Sequence, residues 1–107
     1  MLIDLRTSTF YAGKLQMFMA RYLAEGLAIQ TRHCGAPLGS FTSETGVLNQ
    51  MVQPWAYADS ADRDARLATL AADAEWQAFI AFALPMVQQQ QSQLLRPVVA
   101  PPALLNP

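Results

Sequence analysis

The fold is decided by residues 2–27, which read LIDLRTSTFYAGKLQMFMARYLAEGL. At the start of this stretch the side chains alternate as in a strand, and the residues on one face are Ile3, Leu5 and Thr7. The opposite face of the same strand carries Asp4, Arg6 and Ser8. From Lys14 the apolar residues recur at helical spacing, as Leu15, Phe18, Met19, Tyr22, Leu23 and Leu27. The stretch therefore predicts a strand followed by an amphipathic helix, with Gly26 marking a bend or a close contact in that helix.

The rest of the chain adds strands and helices in a fixed order. Residues 37–44 and 48–58 predict two strands of a hairpin, because Gly46 between them can take a positive φ. Pro54 has no N–H for a sheet ladder, so we expect a bulge or a missing partner there. Two helical segments follow, capped by Asp59 and Asp73, and a last strand is predicted over residues 87–96.

This order, β-α-β-β-α-β, is that of a ferredoxin-like α+β fold. We predict a four-stranded antiparallel sheet with helices on one face. Its domain comprises residues 1–97, and residues 98–107 form an extended Pro-rich tail. In the second helical region, the apolar stripe of Trp76, Phe79 and Ile80 predicts a core face. Asp59 with Arg63, and Asp62 with Arg66, have the spacing of surface ion pairs.

The composition indicates a partner surface. Of the 107 residues, 52% are hydrophobic and only 14% are charged, against about 25% in an average soluble domain. The sheet face without helices, expected to carry Trp55 or Met51, would stay dry against a second copy. We therefore predict a homodimer joined through the sheet face. A net charge of −1 with scattered cations gives no footprint for nucleic acid.

The cysteine content and the hydropathy bear on location. Cys34 is the single cysteine, so no disulfide can form within the chain. The longest apolar stretch, residues 78–87, is too short to span a bilayer, and no secretory leader is recognised at the start. We expect a cytoplasmic protein without a membrane span.

Several short motifs, in this order, resemble the NIPSNAP family. They are Leu5-Arg6-Thr7, Gly13-Lys14-Leu15, Gln30-Thr31-Arg32-His33, Gly46-Val47-Leu48-Asn49-Gln50, Trp55-Ala56-Tyr57, Asp62-Arg63 and Asp73-Ala74-Glu75-Trp76-Gln77-Ala78-Phe79. The resemblance extends to Arg96-Pro97 and implies a dimeric α/β barrel, made by two ferredoxin-like protomers joined through their sheets. Pro54 departs from the expected strand pattern.

The resemblance implies no particular reaction, because most family members have none defined. The chain also lacks a Gly-rich phosphate loop, paired aspartates at metal spacing and an activated cysteine, so phosphatase chemistry is not predicted. Related dimeric α/β barrels include cofactor-free monooxygenases and haem-binding enzymes, which is an analogy of fold alone.

Arg6 is the most informative candidate for a site. A guanidinium in the middle of a strand among apolar neighbours requires a partner. That partner is either a carboxylate, such as Asp4, Glu44 or one from a partner chain, or a bound anionic ligand in a pocket. We prefer the ion pair over the anion clamp.

The remaining candidates have commoner structural explanations. His33 is the single histidine and could ligate haem or act as a base, but a cation in the last turn of a helix also stabilises that helix. Cys34 beside it is rejected as a nucleophile. Asn49 is a turn residue or a pocket hydrogen-bonder, and we prefer the turn. Trp55 and Tyr57 line a cavity or fill the core or the dimer interface, and we prefer the second explanation.

Three functional hypotheses remain open. The first is a homodimeric NIPSNAP-like barrel that binds a small molecule and has no defined reaction. The second is a cofactor-independent monooxygenase or isomerase that uses a barrel pocket. The third is a haem-binding barrel with His33 as axial ligand. We predict no cofactor and no metal site, and leave open whether the protein is an enzyme. The predicted pocket consists of Arg6, His33, Asn49, Trp55 and Tyr57.

Overall fold

A computed structural model describes residues 1–102 and contains the predicted order of elements. The strands are β1 (Leu2–Phe10), β2 (Phe41–Thr42), β3 (Gln50–Tyr57) and β4 (Val87–Leu95). The helices are α1 (Leu15–Arg21), α2 (Leu27–Cys34), α3 (Ser60–Ala72) and α4 (Ala74–Ala83). A π-helical turn, Tyr22–Gly26, joins α1 to α2, and a 3-10 turn, Leu84–Met86, precedes β4. Of the predicted tail, residues 103–107 lie outside the described part.

Across residues 1–102, four strands form one antiparallel sheet in the order β2-β3-β1-β4, and the helices cover one of its faces. This is the predicted ferredoxin-like α+β arrangement. Arg6 lies opposite Gln53 of β3 and Ser92 of β4. Since successive side chains alternate, these residues face the helices, while Leu5 and Val52 belong to the other, open face.

The strand β2 is shorter than predicted, because it pairs with β3 only through Phe41 and Thr42 instead of over residues 37–44. Pro54 explains the loss. Its carbonyl oxygen accepts a hydrogen bond from the Leu38 backbone N–H at 2.8 Å, so its nitrogen, which has no hydrogen, faces the same neighbour. The hydrogen-bonded ladder between β2 and β3 therefore ends beside Pro54. This is the missing hydrogen-bond partner that the sequence predicts at Pro54. The pairing of β3 with β1 continues through it without a register shift.

The core between sheet and helices is largely aromatic. The ring centroids of Phe10 and Phe18 are 4.5 Å apart, and those of Phe18 and Tyr22 are 5.2 Å apart. Phe79 of α4 packs against both Phe18 and Tyr22 and is fully buried. Trp76, which belongs to the same apolar stripe of α4, is only partly buried and stacks on Phe79. The centre of the buried face of α4 is therefore Phe79.

Three sequence-based expectations about burial are corrected or confirmed by this core. Trp55 or Met51 was expected on the open sheet face, but both are buried under the helices, because they share the alternating face of β3 with Gln53. Leu23 is exposed, since Tyr22 and Gly26 occupy the buried side of the π-helical turn. The predicted close contact at Gly26 is confirmed: a Cβ there would lie 2.8 Å from the Phe79 ring.

The helices begin and pair largely as their sequences predict. The Asp59 side chain accepts a hydrogen bond from the Asp62 backbone N–H at 2.8 Å, and Asp73 caps α4 in the same manner. Arg66 pairs with Asp62 at 3.0 Å. The expected pair of Asp59 with Arg63 does not form, because the Arg63 Nε donates instead to the Asp4 Oδ2 at 2.9 Å.

No single helix within residues 1–102 has the length and hydropathy to cross a membrane. By length and composition alone, α3 and the segment Ala74–Met86 pass that test as a pair, but this pair is bent by 84°.

The strand β4 forms one edge of the sheet. Residues 88–95 are exposed and, like the whole strand, contain no charged residue and no proline. Within the part of the chain that the structure describes, no strand pairs with the outer edge of β4.

Candidate functional site

A cavity of about 200 Å³ lies between the helix-facing side of the sheet and the helices, and we call it the sheet–helix cavity. Its wall is mostly apolar, and the aromatic part of it consists of Phe10, Phe18, Tyr22, Trp76 and Phe79. A few polar side chains interrupt this wall: Arg6, Ser8, Gln30, Gln53 and Gln90. An apolar enclosure with a small number of polar groups is the usual constitution of a small-molecule site.

Three residues of the cavity lining, Tyr22, Gln30 and Gln53, are connected by a chain of hydrogen bonds. The Tyr22 hydroxyl donates to the Gln30 Oε1. The Gln53 Nε2 donates to the Tyr22 hydroxyl oxygen at 3.0 Å and to the Ser40 Oγ at 2.9 Å. Burial raises the pKa of Tyr22 to about 12, in spite of the hydrogen bond from Gln53, so this phenol stays protonated at neutral pH. Tyr22 begins the π-helical turn, a local geometry that often occurs at functional sites.

In each of the two glutamines of this hydrogen-bonded chain, Gln30 and Gln53, one polar atom makes no hydrogen bond within the described part of the protein. Gln30 is 6% exposed and Gln53 is 4% exposed. The Gln30 Nε2 and the Gln53 Oε1 make no hydrogen bond to any residue from 1 to 102. Among the described residues, the fully buried atoms without a partner are the Asp4 Oδ1 and the Trp55 Nε1, so the two amide atoms keep some accessible surface and are available to a molecule in the cavity.

Arg6 also lines the cavity, and the structure contradicts the preferred ion pair within the chain. Arg6 has no ion pair with a carboxylate of residues 1–102. Asp4, its expected partner, is bound by Arg63 from α3. Burial is the main influence on the pKa values of Tyr22 and Tyr57 and raises both, while the Arg6 charge acts against that rise at each of them. Arg6 is the charged residue among the described residues that line the cavity.

His33 lies outside the cavity lining and connects two helices. Its Nε2 is 2.8 Å from the Asp73 Oδ2, so the end of α2 is tied to the residue that caps α4. The hydrogen bond from His33 lowers the pKa of Asp73 to about 2 despite desolvation, with further help from the backbone N–H groups of Trp76 and Glu75 and from Arg32. This contact joins α2 to α4 and is structural, while the helix-dipole role expected from the sequence stays a prediction.

The other candidate residues are also placed away from the cavity lining. Asn49 has φ 60°, and its carbonyl oxygen accepts a hydrogen bond from the Phe10 backbone N–H at 2.8 Å, which is a turn role. Trp55 and Tyr57 are buried in a second core cluster with Ile29, Cys34 and Leu70. Of the five predicted pocket residues, the structure thus places Arg6 alone in the lining of the sheet–helix cavity.

The second core cluster contains polar atoms but offers no nucleophile. Burial raises the pKa of the Cys34 thiol, which disfavours the thiolate. Within residues 1–102, the Asp4 Oδ1 and the Trp55 Nε1 are buried without a hydrogen-bond partner. No group of three or more His, Cys, Asp or Glu side chains is arranged to hold a metal ion in that same range.

Sequence reasoning missed Tyr22, Gln30 and Gln53 as site residues, although the two glutamines left a signal. Gln53 interrupts the buried alternation of Met51 and Trp55 with an amide. Gln30 lies two helical turns after Tyr22 on a buried face. A polar amide at a position that the period assigns to the core requires a partner, and these two share one.

The fold and the cavity define an α+β protein of ferredoxin-like topology with a small-molecule-sized space between its sheet and its helices. The family model NIPSNAP matches residues 3–102. The chain therefore belongs to the NIPSNAP family.

Solved structures give the same relationship. A NIPSNAP domain protein from Burkholderia xenovorans is 39% identical with a TM-score of 0.88, covering 94% of this chain and 99% of its own. A NIPSNAP family protein from Agrobacterium tumefaciens is 32% identical with a TM-score of 0.90, and the match covers 94% of this chain and 96% of that protein. A search of curated proteins found no match.

The fold extends beyond the family. A putative antibiotic biosynthesis monooxygenase from Nitrosomonas europaea has a TM-score of 0.65 at 12% identity, covering 92% of this chain and 99% of its own. At that identity the likeness concerns the fold alone.

Proposed function

We propose that this protein is a homodimer that binds a small organic molecule in the sheet–helix cavity. The observation that carries the proposal is the cavity of about 200 Å³, whose apolar wall includes two nearly buried amides, each with an unused polar atom. An apolar cavity of about 150 Å³ holds a benzene ring in a protein core. A single aromatic ring with a short side chain is therefore the appropriate size of guest.

Binding is preferred to proton chemistry because of the polar groups available. In the lining contributed by residues 1–102, these are Arg6, Ser8, Tyr22, Gln30, Gln53 and Gln90. A general base works best with a pKa near the operating pH, and Tyr22 has a pKa of about 12. No carboxylate, imidazole or thiol of the described chain is in this set. A cofactor-independent monooxygenase or isomerase is thus the second candidate, supported by the fold it shares with putative antibiotic biosynthesis monooxygenases.

The binding proposal is tested with 3-phenylpropanamide, a neutral single-ring probe, by calorimetric titration. The parent protein should bind it, and Ala83→Leu should weaken binding. Ala83 is 3% exposed and lines the cavity, so a larger side chain there occupies the guest's space. Ala81→Leu on the same helix is the matched control, because Ala81 is exposed and outside the lining. Equal binding by both variants would place the probe elsewhere and contradict the proposal.

The dimer proposal rests on the open sheet face. Apolar residues at its centre include Leu5, Val52 and Pro54, and the face has no helix over it in the described chain. Together with a charged fraction of only 14%, this surface supports burial against a second copy. Light scattering should give twice the chain mass of 11.8 kDa. Val52→Lys should yield monomers, whereas a parent protein that is already monomeric would refute the dimer.

The haem alternative receives no support from the site, because His33 is engaged by Asp73 outside the cavity lining. Absorption spectra with and without added haem test it directly. Oxygen uptake in the presence of candidate aromatic substrates tests the oxygenase alternative. The cytoplasmic location stays a prediction from the single cysteine.

A further inference from the structure

The sheet–helix cavity holds a positive charge that the described protein does not neutralise. Arg6 lines the cavity and has no carboxylate partner among residues 1–102. The charge is not balanced by the rest of the lining either, because the other polar residues there are neutral: Ser8, Tyr22, Gln30, Gln53 and Gln90. A guanidinium beside apolar surface gains most from an anion that replaces its lost hydration.

A second donor belongs to the same lining. The Gln30 side chain is more than nine-tenths buried, and its Oε1 is already occupied by the Tyr22 hydroxyl. Its Nε2 has no protein partner in the described chain, and this group can only donate. The Tyr22 hydroxyl is itself committed, since it donates to Gln30 and accepts from Gln53. The cavity therefore offers an unused guanidinium and an unused amide N–H, both of which are donors.

Resting on the proposed function, we infer that the guest of the sheet–helix cavity carries a carboxylate, which Arg6 binds as an anion clamp with Gln30 as an additional donor. The planar fork of a guanidinium matches two carboxylate oxygens and forms shorter, stronger hydrogen bonds than a neutral donor does. The aromatic wall of Phe18, Trp76 and Phe79 takes the apolar remainder of the molecule. The ligand class is thus a monocarboxylic acid with a single ring or a comparably small apolar group.

The test compares 3-phenylpropanoate with 3-phenylpropanamide, which has the same shape but no charge. The parent protein should bind the acid at least about tenfold more tightly than the amide, as expected for hydrogen bonds to a charged group. Arg6→Met should abolish this preference while leaving binding of the amide in place. Arg96→Met makes the same change in net charge at an exposed residue outside the lining, and should keep the preference.

Each outcome separates the two proposals. Equal affinity of the parent for acid and amide would overturn the carboxylate assignment and leave cavity binding intact. A preference that survives in Arg6→Met would also overturn it, since Arg6 would not be the clamp. Failure of the parent to bind either compound would contradict the proposed function itself. The comparison of acid with amide needs no variant, so it tests the carboxylate assignment even if Arg6→Met does not fold.

Discussion

Replacing Arg63 by Met should remove a large part of the stability of this protein. Its Nε donates to the Asp4 Oδ2 at 2.9 Å, and Asp4 is only 1% exposed. The other oxygen of that carboxylate, Oδ1, has no hydrogen-bond partner among the described residues, so Arg63 supplies the compensating charge. Removing one member of a buried ion pair leaves the other charge uncompensated, at a loss of about 3–5 kcal/mol. Chemical denaturation at neutral pH and one fixed protein concentration measures the loss in free energy of unfolding.

The same helix provides the control. Arg66→Met, one turn further along α3, removes an ion pair with Asp62 in which both side chains are substantially exposed. Exposed pairs contribute little, so its loss should be far smaller than that of Arg63→Met. Asp4→Asn combined with Arg63→Met should recover most of the stability, because no charge is then left buried. Equal losses for the two arginine variants, or no recovery in the double variant, would refute the reasoning.

Gly26→Ala should lower the free energy of unfolding, although Ala favours helix, because its Cβ would lie 2.8 Å from the Phe79 ring. Ala28→Gly, at an exposed position in α2, calibrates the helix preference at about 1 kcal/mol, and a Gly26→Ala variant more stable than the parent would contradict the contact. The Asp73 carboxyl should titrate by NMR with a pKa of about 2. Since folding lowers this pKa, its stabilising effect should be complete above the ordinary aspartate range and be lost as the pH falls toward 2; an ordinary midpoint would argue against the His33 contact. The Cys34 thiol, buried and with a raised pKa, should react with a disulfide reagent only after denaturation, and rapid labelling of the native protein would disprove its burial.

Most of the architecture could be predicted because period and caps are local signals. The alternation in β1, the stripe from Leu15 to Tyr22, and the caps Asp59 and Asp73 are all read from neighbouring residues. The length of β2 could not be read in this way, since it depends on which side of β3 the Pro54 nitrogen faces. The side of the sheet that Trp55 occupies is likewise a consequence of tertiary packing.

The site was less predictable, because its partners are distant in sequence. Within the chain, Asp4 and Glu44 were the expected partners of Arg6, but Arg63, which lies 59 residues beyond Asp4, binds Asp4 instead. Arg6 is therefore left without a carboxylate partner among residues 1–102, and it lines the cavity instead. Gln30 and Gln53 occupy positions that the period assigns to the core, but only the folded structure shows that Tyr22 is their common partner. Long-range competition of this kind leaves no periodic trace.

The uncharged edge of β4 affects any attempt to obtain a stable separate protomer. Strands at sheet edges usually carry lysine, proline or a bulge that prevents their free backbone groups from joining another chain. Residues 88–95 carry no charge or proline, and the register shift in the pairing of β4 with β1 lies at the very start of the strand, where Thr9 faces Gln89 and Phe10 faces Val87. A charge on the open face, such as Val52→Lys, is expected to separate the proposed dimer, but it leaves this edge free to template fibrillar aggregates. A monomer fit for concentrated solution therefore also needs a gatekeeper substitution such as Gln89→Lys or Gln91→Lys, which adds a charge to β4 itself.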